Sequence, residues 1–209
     1  MTQSDRWSTV EIDGDESREP DPMAALPAAS AVGAAADGLL DVVYRTIDTP
    51  LGGLLLAATR VGLLRVAFSP GHDGVLAGLE EGVGARVFHQ PPFLDGAAHQ
   101  LDEYFAGRRT EFELALDFRL SSGFRRDVLE HLQDISYGNT ATYAQVAAAA
   151  GNAKAVRAVG TACATNPLPV VVPCHRVVRS DGTIGGYAGG SEAKRTLLEL
   201  ERSTVQQSI

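Results

Sequence analysis

The stretch 170–178 constrains the fold of this chain more than any other, because three consecutive valines lead through Pro173 to Cys174, His175 and Arg176. Consecutive β-branched residues favour a buried extended strand, and proline removes a backbone donor, so we expect the strand to bend or end at that point. A thiol held there, with an imidazole and a permanent cation next in sequence, is a candidate nucleophile. A buried structural cysteine is the alternative that this segment alone leaves open.

The chain contains only two cysteines, Cys163 and Cys174. They are too few for a disulfide framework, and their separation of eleven positions, with one nearby histidine, fits no zinc-ligand spacing. We therefore expect a reducing cytoplasmic location, no metal and no cofactor. No stretch approaches the roughly 18 to 20 apolar residues of a membrane span, and the Ala-rich piece 24–36 is a poor signal peptide.

The formal charge of −8 is unevenly distributed along the chain. Residues 1–41 carry nine acidic residues against Arg6 and Arg18, which leaves a net charge of −7 there and −1 in the remainder. Their acidic and Ala/Pro-rich composition predicts a disordered leader, although a functional tail is the alternative. Residues 137–198 hold six basic residues against two acidic ones, a net of +4 that suits a phosphate-contacting surface.

Residues 42–120 are predicted to form a small α/β domain. Three short β-type runs separated by Gly- and Pro-containing turns indicate an antiparallel meander, with strands at 42–48, 54–59 and 63–68. We expect a short, Gly-interrupted helix at 73–81, and apolar residues at helical spacing predict a second helix at 97–105. Strict alternation of Phe112, Leu114, Leu116 and Phe118 predicts a further strand at 111–118.

Residues 121–209 are predicted to be mainly helical. We expect a helix at 124–135 opened by a serine cap, a short helix at 143–150 capped by Thr142, and a second short helix at 153–164. Two short Ala-rich helices joined by a tight Gly-containing turn are typical of a helix-turn-helix, although a packing hairpin is the alternative. A final helix, capped by Ser191, carries Glu201.

Five pieces of the second region, taken together and in order, resemble the O6-alkylguanine-DNA alkyltransferases. They are Tyr143, the segment 154–160, Asn166-Pro167, Pro173-Cys174-His175-Arg176-Val177 and the loop 186–190. The resemblance covers about residues 124–202, and residues 42–118 look like the ribonuclease-H-like first domain of that family. The implied fold is α/β of the α+β type, with a ribonuclease-H-like antiparallel sheet and helices followed by a winged-helix or helix-turn-helix domain that holds the active site.

The resemblance implies the role of each site residue. Cys174 would accept an alkyl group from O6-alkylguanine in duplex DNA, once per molecule. His175 would draw the thiol proton through a water, supported by Glu201, and the Tyr143 hydroxyl would protonate the leaving base. The turn before the cysteine would be held by Asn166. The base would lie in a pocket formed by Val177, Tyr187, Ala188 and Gly189.

The resemblance also implies how DNA is bound. The second helix of the helix-turn-helix would enter the minor groove, where Arg157 would fill the space left by an extruded base. We also count Lys154, Ala158, Thr142 and Arg176 among the DNA-binding residues, and we expect a monomer. Two other functions stay open on the sequence: a module that binds alkylated DNA without repairing it, and a Cys-His hydrolase, for which the adjacency of Cys174 and His175 is awkward.

Overall fold

The computed structural model describes residues 40–68 and 72–207. The predicted leader lies outside the described residues except for its last two positions, which already belong to strand β1, Leu40–Thr49. Asp41 on this strand forms an ion pair with Arg86, at 2.7 Å. Strand β1 therefore includes the last two residues of the predicted leader.

The first domain is built on a four-stranded sheet with the order β3-β2-β1-β4. Strands β2, Gly52–Ala58, and β3, Leu63–Phe68, continue antiparallel from β1 and confirm the predicted meander. The fourth strand, β4 at Ala85–His89, pairs parallel with β1 and was not predicted from the sequence. Helix α1, His72–Val83, supplies the crossover connection that a parallel pair requires.

The two faces of this sheet have different partners. Helix α1 covers one face, where Leu55, Leu64 and Leu79 form a small apolar cluster. The other face contributes Leu54 and Leu56 to the main core, which continues through helix α2, Asp95–Phe105, into the second domain. Because one apolar core spans both regions, side chains of the first domain can reach the site formed by the second.

The predicted strand at 111–118 is wrong as a strand, although its predicted apolar face does pack against the main core. Its only ladder contact with a described residue is a parallel bridge between Leu116 and Leu63 at the edge of β3. Farther along the same edge, the backbone N–H of Val66 donates instead to the carbonyl oxygen of Pro167, at 2.8 Å. The edge of β3 is therefore shared by two segments, and neither can pair along its full length.

The second domain contains four helices, and the predicted helix-turn-helix geometry is present in two of them. Helix α3 spans Phe124–Leu132, α4 spans Tyr143–Ala149, α5 spans Val156–Ala164 and α6 spans Gly190–Gln207. Helices α4 and α5 pack against each other and against α3. A short parallel pair, β5 at Ala141–Thr142 and β6 at Val177–Val178, joins the start of α4 to the segment after the cysteine.

The helix starts were predicted with mixed success. Thr142 caps α4 as predicted, in a capping box with Gln145, which accounts for the sharp start of that helix. The serine cap of α3 is wrong, because Gly123 occupies the cap position with a φ of 53° and makes no side-chain hydrogen bond. Helix α6 begins at Gly190, so Ser191 lies inside it. No helix within residues 40–68 and 72–207 is both long and apolar enough to cross a membrane.

Candidate active site

The valines before the cysteine form a buried turn, so the predicted strand at that place is wrong. Val172 donates its backbone N–H to the carbonyl of Leu168, at 2.8 Å, and Val170 adopts a φ of 75°. A β-branched residue rarely enters this left-handed region, and such strain costs about 1 to 3 kcal/mol. The residue pattern favoured an extended strand, but among the described residues these valines pair with no strand.

The Asn166 side chain makes hydrogen bonds with the backbone of this turn. Its side-chain oxygen accepts the backbone N–H of Leu168, at 2.9 Å, and its amide nitrogen donates to the carbonyl of Val172, also at 2.9 Å. The same nitrogen lies 3.2 Å from the Cys174 sulfur. The Asn166 side chain therefore holds both the strained turn and the thiol that follows it.

Cys174 opens a short 3-10 turn, Cys174–Arg176, and its side chain is almost fully buried. Burial raises the pKa of the thiol to about 11, while the Asn166 hydrogen bond and the nearby Lys194 ammonium act in the opposite direction. At neutral pH the isolated site thus favours the protonated thiol. A base is required before this sulfur can act as a nucleophile.

The residue after the cysteine belongs to a buried histidine–carboxylate pair. His175 is completely buried, and its Nε2 lies 3.0 Å from Oε1 of Glu201. Burial lowers the pKa of His175 and outweighs the Glu201 contact, so the imidazole is neutral at pH 7. Burial also opposes charge on Glu201, but hydrogen bonds from His175 and Arg176 overcome it and lower the pKa of that carboxyl to about 2.

These protonation states fix the tautomer of His175. An ionised Glu201 only accepts hydrogen bonds, so Nε2 of the neutral ring must carry the proton. Nδ1 is then left as an acceptor, and it is buried without a hydrogen-bond partner in the described part of the chain. A buried lone pair in the residue that follows a buried thiol is a candidate proton acceptor for that thiol.

Glu201 gathers donors from distant parts of the chain. The hydroxyl of Tyr104, on α2 of the first domain, donates to Oε1 at 2.7 Å, and the backbone N–H of Gly138 donates to Oε2 at 2.9 Å. Arg176 donates from Nε and Nη2, at 3.0 and 2.9 Å. The expected DNA contact by Arg176 is therefore wrong, because its guanidinium is buried and consumed by this ion pair.

Of the four residues expected to surround a base, Tyr187, Ala188 and Gly189 lie on the loop before α6, and Val177 lies on β6. The Tyr143 hydroxyl stands so close to Gly185 that a Cβ there would come within 2.2 Å of it. Burial, followed by the proximity of the two cysteines, raises the pKa of Tyr143, so the phenol keeps its proton. Tyr187 makes edge contacts with the rings of Phe68 and His175, at centroid distances of 5.7 and 6.1 Å.

The remaining expected pocket residues divide into two kinds. Val177 is fully buried, while Ala188 is exposed on the loop beside it. Gly189 contacts Phe68 of β3 so closely that an added Cβ would lie 2.8 Å from the ring. The first domain therefore fixes the position of the loop that carries Tyr187.

Two site residues were missed from the sequence. Tyr104 had only the helical spacing of a core residue, and its contact with Glu201 spans 97 positions. Lys194 is completely buried and donates from Nζ to the carbonyl of Val177. No local signal marks either residue, although a tyrosine and a lysine on otherwise apolar helix faces warrant a search for buried partners.

Apart from the buried Arg176, the expected DNA-contacting residues lie at the surface of the helix-turn-helix, with Thr142 half-buried. Arg157 and Ala158 are exposed on the first turn of α5, and Thr142 lies at the cap of α4. Lys154 is exposed but precedes α5, which begins later than predicted. Arg176 and Lys194 are buried, so residues 137–198 expose four basic and two acidic side chains. The net charge at the surface of this region is therefore +2 instead of +4.

Fold and site together define a two-domain protein that sets a buried cysteine and a His–Glu pair beside a helix-turn-helix. Residues 123–203 match the family model of the 6-O-methylguanine DNA methyltransferase DNA-binding domain, and residues 42–118 match that of its ribonuclease-like domain. The chain therefore belongs to the 6-O-methylguanine DNA methyltransferase family.

Individual relatives agree with this assignment over nearly their whole length. The methylated-DNA–protein-cysteine methyltransferase of Mycolicibacterium paratuberculosis is 40% identical over 80% of this chain and 97% of its own. The constitutive enzyme of that name from Bacillus subtilis is 41% identical over 78% and 98%. Among solved structures, Mycobacterium tuberculosis OGT in complex with DNA matches with a TM-score of 0.68 and 40% identity, over 78% of this chain and 94% of that one.

Proposed function

We propose that this chain repairs DNA by direct reversal of damage, transferring an alkyl group from O6 of guanine to the Cys174 sulfur. The observation that carries the proposal is the buried, unpartnered Nδ1 of His175, in the residue that directly follows a thiol that is itself buried and hydrogen-bonded to Asn166. The names of the relatives support the same reaction. Because the thioether product is stable, each molecule acts once.

The first step is removal of the thiol proton. With a pKa of about 11, ionising Cys174 at pH 7 without an acceptor costs on the order of 5 kcal/mol. Nδ1 of His175 takes this proton, through a water because the two residues are neighbours in a tight turn. Glu201 stabilises the imidazolium that forms, and the Lys194 ammonium favours the thiolate.

The second step is displacement at carbon. The Cys174 thiolate attacks the alkyl carbon, the carbon–sulfur bond forms, and the carbon–O6 bond breaks with its electron pair passing to the guanine ring. The Tyr143 hydroxyl, held protonated by its raised pKa, donates a proton to a ring nitrogen and is later reprotonated from solvent. In the balance, guanine gains one proton in place of the alkyl group, and the proton that His175 took from the thiol returns to solvent.

Access to the base requires its extrusion from the duplex. The protein binds as a monomer, and helix α5 enters the minor groove. Arg157 fills the vacated space, and Ala158 allows close approach of the helix. The loop 187–189 and the Val177 backbone hold the extruded base beside the sulfur. Exposure of Arg157 and burial of Cys174 support this order of events, since the base must travel to the thiol.

Intact mass spectrometry tests the proposal. After incubation with a duplex that contains one O6-methylguanine, the chain should gain one methyl group, about 14 Da, confined to the peptide that holds Cys174. Cys174→Ser should gain nothing. An adduct on Cys163 would contradict the assignment, and persistent binding to the duplex without any mass change would indicate a lesion-binding module instead.

A further inference from the structure

A cleft at the junction of the two domains shares Asn166, Ala188 and Gly189 with the site, but its two arginines are not used by the mechanism above. It has a volume of about 720 Å³ and lies between β3, the end of α5 and the loop that carries Gly189. Arg65 and Arg125 line it, and no acidic side chain among the described residues does so. A cleft with two cations and no counter-charge favours an anionic ligand.

Arg65 is the less easily explained of the two cations. It lies on β3 of the first domain, its Nε is buried, and this atom has no hydrogen-bond partner in the described part of the chain. A guanidinium carries five donors and stays charged, so a half-buried one without an acceptor is costly. Arg125 uses Nη2 for the carbonyl of Leu120, at 2.7 Å, and has further donors to offer.

The exposed stripe of α5 leads directly into this cleft. Arg157, Thr161 and Thr165 recur every four residues and are all exposed, so they lie along one side of the helix. Arg157 begins the stripe, and Thr165 lines the cleft at its other end. The stripe is about 12 Å long, whereas the minor groove is about 6 Å wide, so a helix that crosses the groove brings its two ends near different DNA strands.

We propose that Arg65 and Arg125 bind a backbone phosphate of the DNA duplex on the strand opposite the one contacted at the Arg157 end of α5. The inference rests on the proposed function and adds to it a role for the first domain, which thereby contacts DNA as well as supporting Glu201. A phosphodiester supplies the anionic acceptors that the two guanidinium groups lack. This phosphate contact also holds the duplex near the loop 187–189.

The test compares duplex affinity across salt concentrations for Arg65→Gln, Arg125→Gln and Arg126→Gln, with a fluorescent unmodified duplex as the probe. Arg126 is the matched control, because it neighbours Arg125 on α3 but is paired with Glu130 at 2.8 Å and lies outside the cleft. Loss of one phosphate contact should lower the slope of log affinity against log salt by about 0.9 and weaken binding about tenfold.

The outcomes separate the inference from the function on which it rests. Equal slopes for all three variants and the unaltered chain, or an equal loss in Arg126→Gln, would overturn the phosphate contact. Arg65→Lys, which keeps the charge, should recover most of the slope and shows whether a loss in Arg65→Gln reflects misfolding. Failure of the unaltered chain to transfer methyl to Cys174 from the lesion duplex would instead overturn the proposed function.

Discussion

Replacing Tyr104 by Phe isolates the contribution of the first domain to the catalytic network. The substitution removes one hydroxyl, which donates to Glu201 Oε1 at 2.7 Å and lies 3.4 Å from His175 Nε2. A hydrogen bond to a charged acceptor contributes about 1.5 to 3 kcal/mol. Glu201 keeps its donors from His175, Arg176 and Gly138, so we expect a loss near the lower end, about 1.5 to 2 kcal/mol.

Urea unfolding measures this loss, and the corresponding drop in Tm should be about 3 to 8 °C for a chain of this size. The matched control is Tyr44→Phe, because the half-buried Tyr44 hydroxyl has no hydrogen bond in the described residues and its removal should change stability by less than about 0.5 kcal/mol. Single-turnover methyl transfer should slow as well, since Tyr104 positions the carboxylate behind His175. Equal stability and equal rates for the two variants would refute the reasoning.

Three other substitutions test the remaining roles. Glu201→Gln should destabilise the chain by about 3 to 5 kcal/mol, because the buried Arg176 loses its counter-charge. Tyr143→Phe should slow the transfer step while leaving duplex affinity nearly unchanged, and parallel losses in single-turnover rate and affinity would contradict proton donation. Arg157→Ala should slow transfer from duplex far more than from the free alkylated base, whereas equal slowing would argue against a role in base extrusion.

Acid sensitivity follows from the same network. Folding lowers the pKa of both His175 and Glu201, so the folded chain binds fewer protons than the unfolded chain and loses stability as pH falls. The His175 contribution is present above pH 6.5 and declines below it. The contribution of Glu201 to the free energy of unfolding is fully present above about pH 4.5. About 3 kcal/mol of it is lost as the pH falls towards 2. Urea unfolding at several pH values should show a smaller loss below pH 4.5 in Glu201→Gln.

Local features of this chain were predictable because their physical causes are local. The meander follows from short β-type runs between turn residues, and the start of α4 follows from the Thr142 capping box. Five short motifs in order, with the Pro173–Val177 segment following a helix-turn-helix, indicated the family, which the two family-model matches confirm. None of these signals depends on which residues meet across the fold.

Only the tertiary structure decided the environment of the cysteine and its base. Valines 170–172 follow a strand pattern, yet three hydrogen bonds fold them into a turn: two from Asn166 and one between Val172 and Leu168. Arginine is a residue type that commonly contacts DNA, yet Arg176 is buried in an ion pair with Glu201. These outcomes depend on charges and donors brought together over long sequence separations, where the cost of an unpaired buried group outweighs local preference.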